Sequence, residues 1–269
     1  MLGEGHSRAQ WIPTSHNIPG FSAGVGGQEF LRDLEAQAVK YGAQVRRARV
    51  SDIRVDDGIF VLGYDDQVLR CRFVLLATGV RDHLPPIGGA TLAVTRSLLR
   101  FCPICDAFEA IDRRIAVISD DPLGEREALF LRDYSAQITL LHLGSTPLAS
   151  NVKDAGEKFE RVSVQLPDLR IRDDRLILAS AGGERSFDVV YLALGCSAQN
   201  ELARSLGALC DEHGALQVNA HQETTVPGLY AAGDVVRGLN QIVVAAAESA
   251  IATTDIHNKL RSRLRHASG

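Results

Sequence analysis

The sequence lacks a continuous run of about 18 apolar residues, the length that a helix needs to cross a bilayer. It is also poor in aromatic residues, which make up 6% of the chain, and rich in alanine, valine, leucine and glycine. These features predict no membrane span and favour packed α/β layers. At 269 residues the chain is long enough for one large domain or two medium ones.

A strong charge imbalance is missing as well, because the formal net charge is -4. This value gives no electrostatic reason to expect nucleic acid or an anionic membrane as a partner. The first six residues lack the basic and apolar regions of a signal peptide. The five cysteines are sparse and odd in number, which suits a reducing cytosol better than a disulfide framework. We therefore expect a cytoplasmic protein.

Two of the cysteines are close together and are followed by a carboxylate, in Cys102-Pro103-Ile104-Cys105-Asp106. A pair with this spacing can close into a disulfide and reopen if one thiol has a low pKa and a proton donor is near. Asp106 would supply that proton. The motif therefore favours redox chemistry at Cys102 and Cys105.

Two other interpretations of the cysteine pair stay open. The pair could be two inert core residues. A zinc site would need four ligands, of which the pair supplies two, while Cys71, Cys196 and Cys210 are scattered. We predict no metal site.

Hydrophobic periodicity predicts alternating helices and strands. Helices are expected from about Gly27 to Tyr41 and, rich in alanine, from about Ile242 to Leu260. Residues 114–141 have a strand–helix–strand pattern, which predicts a parallel sheet. Residues 80–100 and 200–209 are predicted linkers. The other predicted strands are 44–53, 59–64, 67–70 and 73–76, forming an antiparallel meander, and 162–165, 175–178, 189–193, 215–218 and 228–232.

Three segments in a fixed order carry a family resemblance. They are Cys102–Asp106, the strand end Ala77-Thr78-Gly79, and Leu229-Tyr230-Ala231-Ala232-Gly233-Asp234-Val235 before the closing helix. Asn17-Ile18-Pro19-Gly20-Phe21 adds a supporting match. From about residue 6 to the C-terminus, this order and spacing resemble the thioredoxin reductase branch of the FAD-dependent pyridine nucleotide–disulfide oxidoreductases.

The resemblance implies an α/β fold of the two-domain FAD/NAD(P)-binding, Rossmann-like kind with three layers. It implies a discontinuous flavin domain formed by residues 1–88 and 202–269. An inserted NAD(P)H-like domain, residues 89–201, would carry the dithiol. Because family members are commonly homodimers, the resemblance also allows a homodimer.

The expected cofactor site combines this resemblance with a physical interpretation of the last segment. Small residues at a strand end admit a ligand to the backbone, Asp234 would accept a hydrogen bond from a ribityl hydroxyl, and the next helix directs amides at an electron-rich ring. Ordinary turns at Thr78–Gly79 and Gly233–Asp234 are the alternatives. His16 is expected to be a loop histidine and His142 a surface residue. The predicted FAD-binding residues are Asn17, Thr78, Gly79, Gly233, Asp234 and Gln241.

Two parts of the family pattern are absent. The chain begins after the glycine-rich G-x-G-x-x-G unit, so we expect an N-terminally truncated flavin domain with weakened FAD binding. The second nucleotide turn reads Ser119-Asp120-Asp121-Pro122-Leu123-Gly124, which places two carboxylates where a pyrophosphate should bind. His142-Leu143-Gly144 offers no arginine pair for a 2′-phosphate. Conventional use of NADPH is therefore not predicted.

The resemblance implies an enzyme that passes electrons from reduced FAD to the Cys102–Cys105 disulfide. Cys105 would face the flavin, and Cys102 would exchange with a thioredoxin-like protein or a small disulfide. The electron donor stays open: NADPH, ferredoxin as in some relatives, or none. The alternative is a truncated, catalytically inactive family member that acts as a binding or regulatory module, or a gene fragment. A third is that a separate chain supplies the missing unit.

Overall fold

The computed structural model describes residues 1–5, 7–144, 159–165, 168–180 and 183–267. Most of its elements are short strands, with helices between groups of them. The strands are β1 (Leu2–Gly3), β2 (Arg46–Arg47), β3 (Val50–Asp56), β4 (Ile59–Tyr64), β5 (Gln67–Cys71), β6 (Val74–Leu76), β7 (Val80–Asp82), β8 (Leu99–Arg100), β9 (Ile115–Ser119), β10 (Ile138–His142), β11 (Glu160–Ser163), β12 (Leu169–Arg172), β13 (Arg175–Ser180), β14 (Gly183–Phe187), β15 (Val189–Ala193), β16 (Cys196–Ala198) and β17 (Leu229–Ala231). The helices are α1 (Gly27–Lys40), α2 (Ala90–Thr95), α3 (Pro103–Asp106), α4 (Leu123–Leu131), α5 (Glu201–Ser205) and α6 (Ile242–Ala267).

The chain folds into two compact units, each built from separate segments. The first unit contains Met1–Arg8, Arg32–Arg81 and Ser197–Gly269, and the second contains Ala9–Leu31 and Asp82–Cys196. The chain therefore passes between the units four times: after Arg8, within α1, within β7 and within β16. The predicted boundaries follow residues 88 and 201, and the cofactor that each unit serves stays a prediction.

The second unit is built on a five-stranded sheet in the order β11-β10-β9-β15-β8. All four strand pairings are parallel. Every residue of β9, β10 and β15 is buried, as expected for a parallel sheet that is covered on both faces. The strand–helix–strand unit predicted at residues 114–141 is confirmed.

The two faces of this sheet are covered by different elements. Side chains alternate along β9, so Ile115 and Val117 pack with Ala128 and other residues of the α4 side. Ala116 and Ile118 point the other way and pack against α2 and the antiparallel sheet β12-β13-β14. The second unit therefore has the three layers that the resemblance implies.

The first unit combines an antiparallel meander with two parallel strand pairs. β3, β4 and β5 form the predicted meander. The fourth strand predicted for it, β6, instead pairs in parallel with β17, while β1 pairs in parallel with β2. The prediction was wrong for β6 because this buried strand pairs with residues 229–231, far away in sequence, and not with its neighbour β5.

Both predicted linkers are wrong in part. Residues 80–100 contain β7, α2 and β8, and Ala93 and Val94 of α2 are buried in the core. Residues 200–209 contain α5, whose Ala203 is fully buried. Polar residues and glycine in both stretches, with two prolines in the first, obscured a short apolar face. The closing helix α6 begins at the predicted residue and runs seven residues further, to Ala267. Within the described residues, no helix has the length and apolarity that a bilayer crossing requires.

Candidate active site

A disulfide joins Cys102 and Cys105 in the second unit, with their Cα atoms 5.3 Å apart. Cys102 precedes α3, and the Cys105 amide donates a hydrogen bond to the Cys102 carbonyl (2.9 Å). Pro103 occupies the first helical position, where the missing amide hydrogen carries no penalty and the fixed φ favours the helix. The sequence thus builds a tight turn that holds the two sulfurs within bonding distance.

The other cysteines are not part of this centre. Cys71, Cys196 and Cys210 lie outside the disulfide. Across the described part of the chain, no group of three or more histidine, cysteine, aspartate or glutamate side chains is arranged to hold a metal ion. The disulfide is compatible with the redox interpretation of the motif, which stays a prediction.

Asp106, the last residue of α3, is held by two other side chains. Its Oδ1 accepts a hydrogen bond from the Tyr191 hydroxyl (2.8 Å). Arg100 Nη1 donates to the Asp106 carbonyl (3.0 Å) and lies 3.7 Å from Oδ2. Burial raises the pKa of Asp106 to about 6, against the opposing effects of Arg100 and Tyr191. A carboxyl with this pKa can both give and take a proton near neutral pH.

A second acid and a histidine extend this cluster. Glu109 Oε2 lies 3.6 Å from Arg100 Nη1. Glu109 Oε1 lies 2.8 Å from His16 Nδ1. The sequence placed His16 in a loop and gave it no partner in the protein, whereas the structure pairs it with Glu109.

Four of the residues predicted to bind FAD, in the turns Thr78–Gly79 and Gly233–Asp234, are brought to one sheet edge. β6 and β17 are parallel, and Leu76 lies opposite Ala231. The turns Thr78–Gly79 and Gly233–Asp234 follow the carboxyl ends of these neighbouring strands. Ligands of open α/β sheets bind at such an edge, so the two predicted turns can face the same ligand.

The Thr78–Gly79 turn is open on its outer side. Gln199 fixes it: the Thr78 hydroxyl donates to the Gln199 carbonyl (2.6 Å), and Gln199 Nε2 donates to the Thr78 carbonyl (2.7 Å). Gly79 has a φ of 68°, and no atom of the described chain lies within 4 Å of the place where a Cβ would stand. A planar ligand can therefore approach the backbone here.

The Gly233–Asp234 turn is packed closely against α6. A Cβ at Gly233 would lie 3.1 Å from the Ala245 Cβ, and the Gly233 amide donates to Glu248 Oε2 (2.8 Å). Asp234 lies in a 3-10 helix, with Oδ2 3.8 Å from Arg8 Nη1. The half-buried Asp234 carboxylate and the open backbone at Gly79 fit the sugar and ring side of a flavin.

The two other predicted FAD residues lie in different places. Gln241 belongs to the first unit and directly precedes α6, where its carbonyl accepts a hydrogen bond from the Ala245 amide (3.0 Å). Asn17 belongs to the second unit, and its Oδ1 accepts a hydrogen bond from the Ser15 hydroxyl (2.8 Å). Their roles at the cofactor stay predictions.

The turn between β9 and α4 is already filled by its own side chain. Asp121 Oδ1 accepts a hydrogen bond from the Leu123 amide (2.6 Å), and the Ser119 hydroxyl donates to the Asp121 carbonyl (2.8 Å). In a nucleotide-binding turn, amides at this end of the helix hold the pyrophosphate. Here a carboxylate takes that place, so the turn does not fit a dinucleotide phosphate.

The surroundings of the turn add to this mismatch. Burial, together with the nearby Asp121 charge, raises the pKa of Glu127 to about 7.

His142, predicted to be a surface residue, is instead buried at the end of β10. The prediction was wrong because β10 is covered on both faces to its last residue. Gly124 keeps the close helix–strand approach of a nucleotide fold, because a Cβ there would lie 2.3 Å from the Ser119 Cβ.

The sequence also matches a family model, described as pyridine nucleotide-disulphide oxidoreductase, over residues 22–249. The chain belongs to this family. The match includes the dithiol, both turns of the first unit and the β9–α4 turn. The predicted family is therefore confirmed, and with it the class of enzyme, an oxidoreductase of the thioredoxin reductase kind.

Relatives within the pyridine nucleotide-disulphide oxidoreductases cover most of the chain. A thioredoxin reductase from Mycolicibacterium smegmatis is 28% identical over 252 residues, which are 89% of this chain and 80% of the relative. A bifunctional thioredoxin reductase/thioredoxin from Mycobacterium leprae (strain TN) is 26% identical over 257 residues, 89% of this chain and 55% of the relative.

Solved structures show the same fold. The thioredoxin reductase from Streptococcus pyogenes superposes with a TM-score of 0.86 at 20% identity, covering 97% of this chain and 89% of that one. An oxidoreductase from Agrobacterium tumefaciens gives a TM-score of 0.81 at 22% identity, covering 96% and 88%. The predicted α/β fold of the FAD/NAD(P)-binding, Rossmann-like kind is confirmed.

Sequence reasoning missed two residues of the dithiol centre, Tyr191 and Arg100. Tyr191 lies within a strand that was predicted correctly, and a buried tyrosine hydroxyl nearly always needs a hydrogen-bond partner. That signal pointed to a polar neighbour. It could not identify Asp106, which is 85 residues away along the chain.

Proposed function

We propose that the chain passes electrons from a reduced flavin to the Cys102–Cys105 disulfide and on to a disulfide substrate. The observation that carries this proposal is the disulfide beside Asp106, a mostly buried carboxyl with a pKa of about 6. FAD, when bound, would supply the two electrons that open the disulfide. Thr78, Gly79, Gly233 and Asp234 would hold its sugar and ring side.

A protein disulfide is the substrate class that the surroundings of the dithiol favour. Ile104 lies between the two cysteines and is 62% exposed, and Phe108 is 77% exposed. Exposed apolar side chains around a reactive group are typical of a surface that contacts another protein. The relatives named thioredoxin reductase, one of them also named thioredoxin, support a thioredoxin-like partner.

The test of this proposal is the visible absorption spectrum of the purified chain, before and after addition of excess FAD and desalting. We expect a flavin band that survives desalting after reconstitution. The band should bleach on photoreduction, and two thiols should appear on Cys102 and Cys105. A chain that retains no flavin under either condition would contradict the proposal.

The alternative is a family member that keeps the fold but not the catalysis, and that acts as a binding or regulatory module. The Asp121 carboxylate favours it, because it fills the position where relatives of this fold would take a nucleotide phosphate. The spectrum separates the two hypotheses, since an inactive relative would lack reducible flavin.

The hydrogen bond from the Leu123 amide to the Asp121 carboxylate also leads to a prediction about NADPH. We expect no saturable change in NADPH fluorescence on titration with the chain. Asp121→Gly removes a negative charge and frees the Leu123 amide, so it should strengthen NADPH binding at least about tenfold. Asp120→Ser is the matched control: it removes a charge from the same turn without freeing that amide and should have a smaller effect. Tight NADPH binding by the unchanged chain would show that the turn opens, which would refute the prediction.

A further inference from the structure

Two strands of the five-stranded sheet hold the carboxyl of Asp106. One of them, β8, precedes the dithiol in the chain, and the other, β15, follows it. We propose that Tyr191 and Arg100 are positioning residues, which fix the Asp106 carboxyl beside the Cys102–Cys105 pair and set the pH range over which it delivers a proton. This inference rests on the proposed function. It extends that function by naming the groups that control its proton step.

Strand register places Tyr191 and Arg100 on the same face of the sheet. Tyr191 of β15 lies directly opposite Arg100 of β8 in a parallel pairing, so their side chains leave the same face of the sheet. Ala107 and Ala110, which follow α3, pack on this face together with Tyr191. These contacts bring Asp106 within 2.8 Å of the Tyr191 hydroxyl.

Both residues are rigidly placed. Tyr191 is fully buried, and the Arg100 side chain is only 10% exposed. Arg100 Nε also donates to the Ser97 carbonyl (3.1 Å), while its Nη1 reaches the Asp106 carbonyl. A guanidinium held at these two points keeps its charge near the Asp106 Oδ2.

The surroundings of Asp106 shift its pKa in opposite directions. Burial favours its protonated form, and Glu109, in the 3-10 helix that follows, adds to that effect. Arg100 and the Tyr191 hydrogen bond favour the carboxylate. Burial and the charge of Asp106 raise the pKa of Tyr191 far above neutral, so this hydroxyl stays a donor. His16 contacts the cluster through Glu109.

The proton step is simplest to follow with dithiothreitol as the reductant. Its thiolate attacks Cys102, a new S–S bond forms, the Cys102–Cys105 bond breaks, and the Cys105 thiolate takes the proton of Asp106. The second dithiothreitol thiol gives up its proton and attacks the mixed disulfide. That attack closes the dithiothreitol ring and releases the Cys102 thiolate, which takes a proton from solvent. The pair is reduced and dithiothreitol is oxidised.

The experiment measures the rate of this reduction from about pH 4.5 to 8.5, divided by the concentration of dithiothreitol thiolate. In the unchanged chain the normalised rate should fall as Asp106 loses its proton, near pH 6. Tyr191→Phe removes a hydrogen bond that favours the carboxylate. The falling limb should therefore move to higher pH by about one unit. Arg100→Gln should move it in the same direction, which keeps the test valid if one variant fails to fold.

Two further variants serve as the control and as the test that the falling limb belongs to Asp106. Tyr230→Phe is the matched control, because Tyr230 is also fully buried and donates to a carboxylate, Asp255, in the first unit. It should leave the limb in place. Asp106→Asn should remove the limb. If Asp106→Asn removes the limb but Tyr191→Phe and Arg100→Gln leave it unmoved, the inference is overturned while the proposed function stands. If Asp106→Asn keeps the limb, the proton role of Asp106 fails, and the inference with it.

Discussion

Replacing Cys105 by serine is expected to stop disulfide turnover, with a loss on the order of 10³-fold or more. The remaining Cys102 thiol can still attack a substrate disulfide, but no second thiol is present to resolve the mixed disulfide. The variant should therefore accumulate as a covalent adduct with the substrate. Mass spectrometry of the chain after reaction with glutathione disulfide would detect one bound glutathione.

The other cysteines provide the controls for this prediction. Cys102→Ser should lose turnover equally and form much less adduct, because Cys102 is the proposed exchanging thiol. Cys196→Ser removes an exposed cysteine outside the disulfide and should react as the unchanged chain does. A chain with Cys105→Ser that still completes turnover would show that the pair is not the redox centre.

Asp106→Asn should lower the activity while it raises the stability of the fold at pH 8. The loss of a positioned acid is expected to slow reduction of the disulfide by about 10²–10³-fold. The same change should stabilise the fold at pH 8. Since the folded-state pKa of Asp106 is about 6, against an ordinary 3.8, its protonated form stabilises the fold below about pH 4. That contribution is lost as the pH rises through 6.

The size of the stability effect follows from this pKa difference. At pH 8 the fold carries a mostly buried carboxylate at a cost of about 2–3 kcal/mol relative to pH 4. The variant should avoid this cost, since an asparagine amide is neutral and its oxygen still accepts from Tyr191. Thermal melts at pH 4 and pH 8 would measure the difference. Asp133→Asn, at an exposed position, should show no such pH-dependent gain, and equal gains in both variants would refute the assignment to Asp106.

The parts of the fold that the sequence predicted are those with a strong local signal. Residues 115–119 are uniformly apolar up to Ser119, and α1 has its apolar residues at helical spacing, so β9 and α1 were expected nearly where they lie. α5 was missed because five residues carry too little periodicity to be recognised. The pairing of β6 with β17 was missed because it depends on two segments far apart in the chain.

The candidate site divides in the same way. Cys102, Cys105 and Asp106 are contiguous, so spacing alone identified them. Tyr191 and Arg100 come to Asp106 through the register of β15 against β8, which no local pattern encodes. The Asp121 carboxylate was expected to repel a phosphate, and the structure adds that it occupies the Leu123 amide as well. That additional contact depends on side-chain geometry and could not be read from composition.

The pairing of β6 with β17 also determines the order in which the molecule can form during synthesis. All strands of the five-stranded sheet lie between residues 99 and 193, so this sheet can assemble while the ribosome is still making the end of the chain. β6 is made earlier but must wait for residues 229–231 before its backbone groups are paired. Domains generally fold as units as they emerge. The five-stranded sheet of the second unit can therefore form before β6, although synthesised earlier, is paired with β17.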